Sequence, residues 1–323
     1  MQRRHFVKAS AASMAAMPFR ASAQADYPNR PIRLVVPFAP GGATDVTARL
    51  VAQKVSDALK QQMLVENRPG GGSIVGTDFV AKAAPDGYTL VMAANSCVAP
   101  GPLMRPTMPY DAVRDLTHIA LVGTFPNGFV VRTDHPAKSF QEFVALARAK
   151  PGALNYSSAG VGSSGFLSGE LLKQKAGIDI VHIPYKGTGP ATADLLGGQL
   201  DAMFDGLVTA TPHIRSGRMR LLAVTSAQRA RTFPDVPSTN EVISGVIGAA
   251  WFGVSGPARI PQPIVDRLQA EIQKALALAD VQGRLGDIGM TVLAGGQREY
   301  AAHIAAENTL YGPVIRTAGI RIE

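Results

Sequence analysis

Short runs of apolar, mostly β-branched residues alternate along the chain with stretches whose apolar positions recur every three or four residues. Glycine, proline or a small polar residue marks nearly every junction between them. Residues 32–38 form the first apolar run, and Ala39, Pro40, Gly41, Gly42 and Ala43 break it. Val46, Leu50, Val51, Val55 and Leu59 then fall on one face of a helix that Thr44 or Asp45 can cap. Residues 63–66 predict a second strand, and a glycine-rich stretch follows at 67–73. A helix of small residues runs to about Ala83, and Pro85, Asp86 and Gly87 make a turn. A third strand, 88–93, ends at Asn95 and Ser96. The order βαβαβ predicts a largely parallel sheet covered by helices.

A second series of the same kind begins near Ile119. Residues 119–122 and 128–131 read as strands, Ser139 caps a helix over 140–149, and 154–157 is a strand. The loop 159–164 opens a helix over 165–175. The strand 180–185 turns through Lys186, Gly187, Thr188 and Gly189 into a helix that reaches Leu196. Residues 202–204 form a short strand ending at Asp205, and 221–224 another. The pattern changes at Trp251. Helix 261–278 carries Ile264, Leu268, Ile272 and Leu276 on one face, and 281–288 and 299–314 predict further surface helices returning to the first unit. The fold class is therefore α/β with two lobes, each a mainly parallel sheet flanked by helices. The expected boundaries are residues 26–126 plus 249–323 for the first lobe and 127–248 for the second.

Composition narrows the function. Of 323 residues, 46% are hydrophobic and 17% charged, which suits a sizeable core, and no run of about twenty apolar residues predicts a membrane span. Arg3, Arg4 and Lys8 precede an alanine-rich stretch, and small residues at 21–25 read as a cleavage site. A signal peptide over 1–25, cut near Ala25, is expected. Arg3 and Arg4 followed by Phe6 and Lys8 favour twin-arginine export, and the general secretory route stays open. The formal net charge is +8, and loss of Arg3, Arg4, Lys8 and Arg20 lowers it to +4. Without basic runs, nucleic-acid binding loses its support. Cys97 is the single cysteine, so no internal disulfide forms, and it reads as a small buried residue. The histidines show no metal-binding spacing, so no metal site is expected.

The loops carry the candidate chemistry. Backbone N–H groups at a helix start are unpaired and partly positive, and a carboxylate placed there gains about 0.3–1 kcal/mol from the dipole alone. Gly41 and Gly42 let the chain approach such an anion, and Gly160, Gly162 and Gly165 with Ser163 and Ser164 could form a second cradle. Gly160, Gly162 and Gly165 also fit the spacing of a dinucleotide-binding turn. The ribose-binding acid is missing, however: the next strand ends in Ile183, Pro184, Tyr185 and Lys186. A serine hydrolase would need a different glycine–serine spacing, although His182, Asp201 and Asp205 are present. Neither the NAD-dependent nor the hydrolytic reading is preferred. Asp45 reads first as a helix cap, and Asp205 stands at a strand end, the mouth position of an α/β sheet, facing a ligand or its water.

An ordered set of motifs resembles one family. Tyr27, Pro28, Arg30, Pro31 and Ile32 begin it, followed by Pro37 to Gly42 with Asp45, by Glu66 to Gly70, and by Pro85 to Leu90. Leu154, Asn155 and Tyr156, then His182, Pro184, Tyr185, Lys186 and Gly187, continue it. Pro234 to Ser238 and Phe252, Gly253, Val254 and Pro257 complete it. The set resembles the substrate-binding family of tripartite tricarboxylate transporters, also called the Bug family. The resemblance implies a periplasmic, two-lobed Venus-flytrap fold of type II. Such a protein would bind a small carboxylate (a di- or tricarboxylate, an aromatic acid or an acidic amino acid) without cofactor or catalysis. It implies a monomer that serves a membrane transporter, or a carboxylate sensor for a signalling partner. By the same resemblance Phe38, Ala39, Gly41, Gly42, Asp45, Ser163 and Ser164 contact the ligand, with Ser96, Gly162 and Asp205 as further contacts. One departure is Gly165-Phe166, where the family often has a histidine, and it is expected to make the pocket more apolar.

Overall fold

The computed structural model describes residues 27–287, 289–317 and 319–321. The expected signal peptide lies outside them. The chain opens with β1 (Ile32–Val36), α1 (Ala43–Leu59), β2 (Met63–Asn67), a 3₁₀ turn (Gly71–Ser73), α2 (Ile74–Ala81), β3 (Thr89–Ala94) and the one-turn α3 (Asn95–Val98). After a second 3₁₀ turn (Gly101–Met104) come β4 (Leu116–Arg132), α4 (Phe140–Ala149), β5 (Asn155–Ser158), α5 (Ser164–Ala176), β6 (Val181–Pro184) and α6 (Thr188–Leu196). Then follow β7 (Ala202–Gly206), α7 (Leu207–Arg215), β8 (Met219–Val224), α8 (Thr239–Val242) and β9 (Ala249–Pro257). The chain ends with α9 (Gln262–Ala277), α10 (Ala279–Asp287), β10 (Thr291–Gly295) and α11 (Gln297–Thr317).

The strands form two sheets that share β4. The first runs β2-β1-β3-β9-β4-β10 and the second β8-β4-β7-β5-β6. Pairs β1/β2, β1/β3, β5/β6 and β5/β7 are parallel, as the alternation of strands and helices requires. β4, the strand common to both sheets, and β9 beside it pair antiparallel with their neighbours. The expected two-lobed α/β class is present, and the antiparallel pairs come from these two strands.

Two strands were expected over 119–131, and one 17-residue strand is found. Its first part pairs with β9 as far as Pro126↔Ala249, and its second pairs with β7 from Asn127↔Gly206. Pro126 has no N–H, and it stands where the ladder passes from one sheet to the other, so the strand continues through it. A second link lies alongside: Thr225 N–H donates to Asn127 O at 2.8 Å, and Gly248 N–H donates to Thr225 O at 2.8 Å. Strand β10 and the short α3 and α8 carry no sequence pattern long enough to read.

Each sheet has its own core. Leu34, Val36, Leu90, Met92, Trp251, Leu268, Ile272 and Tyr300 are buried around the first. The period-two alternation of β4 splits the second: Phe129 and Val131 pack with Phe140, Phe143, Tyr156 and Phe204, while Val130 faces Met203, Leu207 and Leu221. The last helix departs from expectation. Tyr300 and Ile304 of α11 join the first core, but Tyr311 and Ile315 pack on Phe166, Leu167 and Leu171 of α5, with Met104. The helix thus ties the two lobes together rather than returning to one.

Candidate functional site

Five strand ends meet where the two sheets face each other, and each leads, directly or through a short loop, into a helix. Strands β1 and β3 of the first sheet lead to α1 and α3, and β5, β6 and β7 of the second lead to α5, α6 and α7. Between them lies a cavity of about 50 Å³. A buried water needs roughly 10–15 Å³ of such space, so it holds a few waters at most. The helix starts contribute Gly42, Ala43 and Thr44, then Asn95 and Ser96, then Ser163 to Gly165, then Thr188 and Gly206. Phe38, Phe125, Phe204 and Phe252 supply the apolar wall, and Asn127 sits where β4 changes sheets. No charged side chain is among the residues that line it.

The lobes are closed on this space. Ala39 N–H donates to Lys186 O across the cleft at 2.7 Å. A Cβ on Gly42 would lie 2.9 Å from Thr188 Oγ1, and one on Gly189 would run into the Pro40 carbonyl oxygen. Gly189 is required because the Pro40 backbone meets it there, Gly42 leaves room for the Thr188 hydroxyl, and Gly41 is favoured because its φ is +81°.

The first loop is braced from outside the cavity. Helix α1 has Gly42 as N-cap with no side-chain acceptor, which corrects the expected cap at Thr44 or Asp45. The buried Asp45 instead accepts from Gly41 N–H at 3.0 Å, from Asn67 Nδ2 at 3.0 Å and from Arg49 Nε at 3.0 Å. Burial works against its charge, but the hydrogen bonds from Arg49, Gly41 and Asn67 and the Arg49 charge hold its carboxyl below the ordinary range. In the second loop Ser163 caps α5, its Oγ accepting from Phe166 N–H at 3.2 Å, and Asn127 Nδ2 donates to Ser164 Oγ at 3.1 Å.

Of the residues named from sequence, Phe38, Gly42, Ser96, Ser163 and Ser164 line the cavity. Ala39, Gly41, Asp45, Gly162 and Asp205 do not: Ala39 holds the lobes together, Asp45 braces Gly41, and Gly162 (φ +90°) shapes the turn behind Ser163. Asp205 is fully buried, and burial, partly offset by the hydroxyls of Thr209, Thr188 and Thr192, pushes its carboxyl up to about 7. Phe166 corrects the expectation of a more apolar pocket at that position. Its ring lies 5.0 Å from that of His182 and packs with α11, and the four other phenylalanines make the apolar wall.

Sequence reasoning missed Thr188, Asn127, Phe125, Phe204 and Phe252 as lining residues. Thr188 was legible, since it opens a helix after a strand and a glycine as Gly42 does; the others sit inside strands with no local mark. The enzyme constellations do not assemble at the cavity. His182 Nε2 is 2.9 Å from Ser158 Oγ, a fully buried serine, and burial lowers the imidazole to about 4. Asp201 accepts from Asn155 N–H. Gly160 and Gly165 fit against the carbonyl oxygens of Tyr185 and Phe204, so the glycine spacing serves packing. Asn95 is set by Glu307 of α11, which accepts from its Nδ2 at 2.8 Å and from Trp251 Nε1 at 3.0 Å.

Similarity to known proteins bears on this geometry. Residues 47–320 match the Tripartite tricarboxylate transporter family receptor. The protein BugT of Bordetella pertussis is 36% identical over 299 residues, covering 92% of this chain and 92% of its own. Among solved structures, Rpa4515 of R. palustris with adipate has a TM-score of 0.88 at 34% identity, covering 92% of this chain and 99% of its own. MatC from Rhodopseudomonas palustris with bound malate has a TM-score of 0.86 at 33% identity, covering 90% of this chain and 100% of its own. The fold is that of the type II periplasmic binding proteins, and the chain belongs to the tripartite tricarboxylate transporter receptor family, whose Bug proteins are among its relatives.

Proposed function

We propose that this protein is an exported, periplasmic solute receptor that closes on one small carboxylate and delivers it unchanged to a tripartite transporter. The observation that carries this reading is the meeting of five helix starts on a cavity lined by no charged side chain. Amides and hydroxyls are then the groups available to an anion, and partly positive helix starts favour one. Relatives of the same fold hold adipate and malate, which supports a small carboxylate here. The four phenylalanines favour an aliphatic or aromatic body on the acid. The lining contains no histidine, cysteine or carboxylate for acid–base or nucleophilic work, which supports binding without chemistry.

The proposed lobes are 26–126 plus 249–323 and 127–248, moving about the crossings at Asn127 and Gly248. The ligand-binding residues proposed are Phe38, Gly42, Ser96, Ser163 and Ser164, now joined by Thr188 and Asn127, with Ala39, Gly41, Asp45, Gly162 and Asp205 supporting them. Export follows from the charged and apolar pattern of residues 1–25, and no described helix is long and apolar enough to cross a membrane. A monomer is the proposed working unit.

A thermal-shift panel of mono-, di- and tricarboxylates and acidic amino acids tests this. A bound acid at 100 times its Kd stabilises by about 2.7 kcal/mol, a shift of several degrees. Failure of every carboxylate to shift the transition at millimolar concentration overturns the reading.

A further inference from the structure

Helix α11 supplies none of the residues that line the cavity, yet it touches the elements that do. Tyr300, Ile304, Glu307, Tyr311 and Ile315 are spaced four, three, four and four apart, which puts them in one stripe along the helix. Positions between them, such as Ala301, Ala305 and Leu310, are exposed. An acid in such a stripe is costly without partners, and Glu307 has two. It accepts from Asn95 Nδ2 at 2.8 Å and from Trp251 Nε1 at 3.0 Å.

Both partners stand on the side of the first sheet. Asn95 opens α3 and lines the cavity, but its side chain is fully committed. Its Nδ2 also reaches Ala249 O, at 3.4 Å, and its Oδ1 accepts from Trp251 N–H at 3.2 Å. Asn95 therefore holds α3 in place, with Ser96 beside the cavity, rather than offering its own amide to a ligand. Trp251 lies between two lining residues, Ala250 and Phe252, and its ring meets those of Tyr300 and His303 at 5.7 and 5.0 Å. One turn beyond Glu307, the same stripe reaches the second sheet's side. Tyr311 and Ile315 are buried against Phe166, Leu167 and Leu171 of α5, together with Met104 of the turn that follows α3. Helix α5 begins with Ser164 and Gly165, which line the cavity opposite α3.

We propose that α11 is a strap that sets, from behind the cavity, the gap between the α3 and α5 helix starts, with Glu307 and Ile315 as its two anchors. Both are positioning residues, and the length of acid that the cavity accepts is decided by a helix that does not line it. The anchors are eight residues apart on one continuous helix, about 12 Å along its axis, so a displacement at one end is carried to the other. The selection of length rests on the carboxylate reading above; the positioning of the two helix starts stands without it.

Two variants cut the strap at either end. Glu307→Leu continues the apolar stripe and leaves the Asn95 and Trp251 donors without their acceptor, and Ile315→Ala trims the contact with α5. Hydrogen exchange of the folded, ligand-free proteins, read by mass spectrometry against α4 as reference, tests the positioning. Peptides covering 95–98 and 164–167 should both exchange about fivefold faster in each variant. Faster exchange confined to the substituted side overturns the strap, as does no change on either side. Glu307→Gln, whose amide oxygen still accepts, should restore the protection. Calorimetric Kd values for succinate, glutarate and adipate then test the selection, at a temperature where circular dichroism shows each variant folded. Both variants should weaken the preferred acid about tenfold, in keeping with one buried donor left unpaired, and narrow the spread of Kd across the series. An unchanged spread, or no binding of any of the three, overturns the role in selecting length. A thermal-shift panel silent for every carboxylate sinks the carboxylate reading as well, and the exchange measurement still decides the strap.

Discussion

Across the cleft the loop before α1 is braced by charge, and the loop before α5 by hydroxyls. Asp45 gathers Gly41 N–H, Asn67 and Arg49, all outside the cavity, and is held ionised. On the facing side Ser163 caps its own helix, Ser164 meets Asn127, and the nearby acid, Asp205, is pushed toward its neutral form. The difference teaches how one cleft can carry two acids without repelling an anion: one acid is neutralised by a cation outside the cavity, the other by burial. It also leaves α1 with uncapped amides, while α5 commits its Phe166 N–H to Ser163.

The contrast can be broken at the point of contact. Gly189→Ala puts a Cβ against the Pro40 carbonyl oxygen, and overpacking of this kind costs about 1–3 kcal/mol. Because the contact lies between the lobes, outside either core, ligand Kd should rise about ten- to a hundredfold while the ligand-free melting temperature holds, measured by calorimetry and circular dichroism. Unchanged affinity would show that the lobes do not close in this way.

Asp45→Asn sharpens the comparison next. It removes the charge that meets Arg49, and about a tenfold loss of affinity is expected, near the value of one charge-assisted hydrogen bond. The Asp45 proton affinity is depressed in the folded protein. Its stabilisation is therefore present above the ordinary carboxylate range and lost as pH falls toward the depressed value. Melting curves of the unaltered protein should drop below about pH 4, and those of the variant less so. The direction is opposite to that expected at Asp205, which separates the two loops in one titration.

Ser164→Ala removes the hydroxyl that meets Asn127, about 1 kcal/mol or fivefold in affinity. The smallest effect is expected at Glu307→Gln, within about 0.5 kcal/mol of stability. Burial raises this carboxyl's proton affinity, and a neutral amide oxygen can still accept from Asn95 or Trp251. A larger loss in a denaturant titration would show that the group carries its charge in the folded protein.

Much of the fold was legible because it is local. Val51, Val55 and Leu59 mark α1 by spacing, and Gly42 and Ser163 mark loops by chemistry. The continuity of β4 was not, since Pro126 reads as a break in the chain and becomes harmless only where two sheets exchange partners. The site divided in the same way. Helix starts could be read one at a time, but Phe125, Phe204 and Phe252 lie inside strands whose inward face depends on what packs opposite.

The sequence by itself determined the alternating elements, the glycines that permit tight turns, and the polar residues at strand ends, because these depend on backbone sterics and periodicity within a few residues. Tertiary structure alone decided which of those residues share a cavity, and that Asp45 is ionised while Asp205 is driven toward neutrality. Proton affinity and proximity are set by packing and by the groups brought alongside, and in this protein Arg49, Gly41 and Asn67 hold Asp45 down while burial, partly offset by Thr209, pushes Asp205 up.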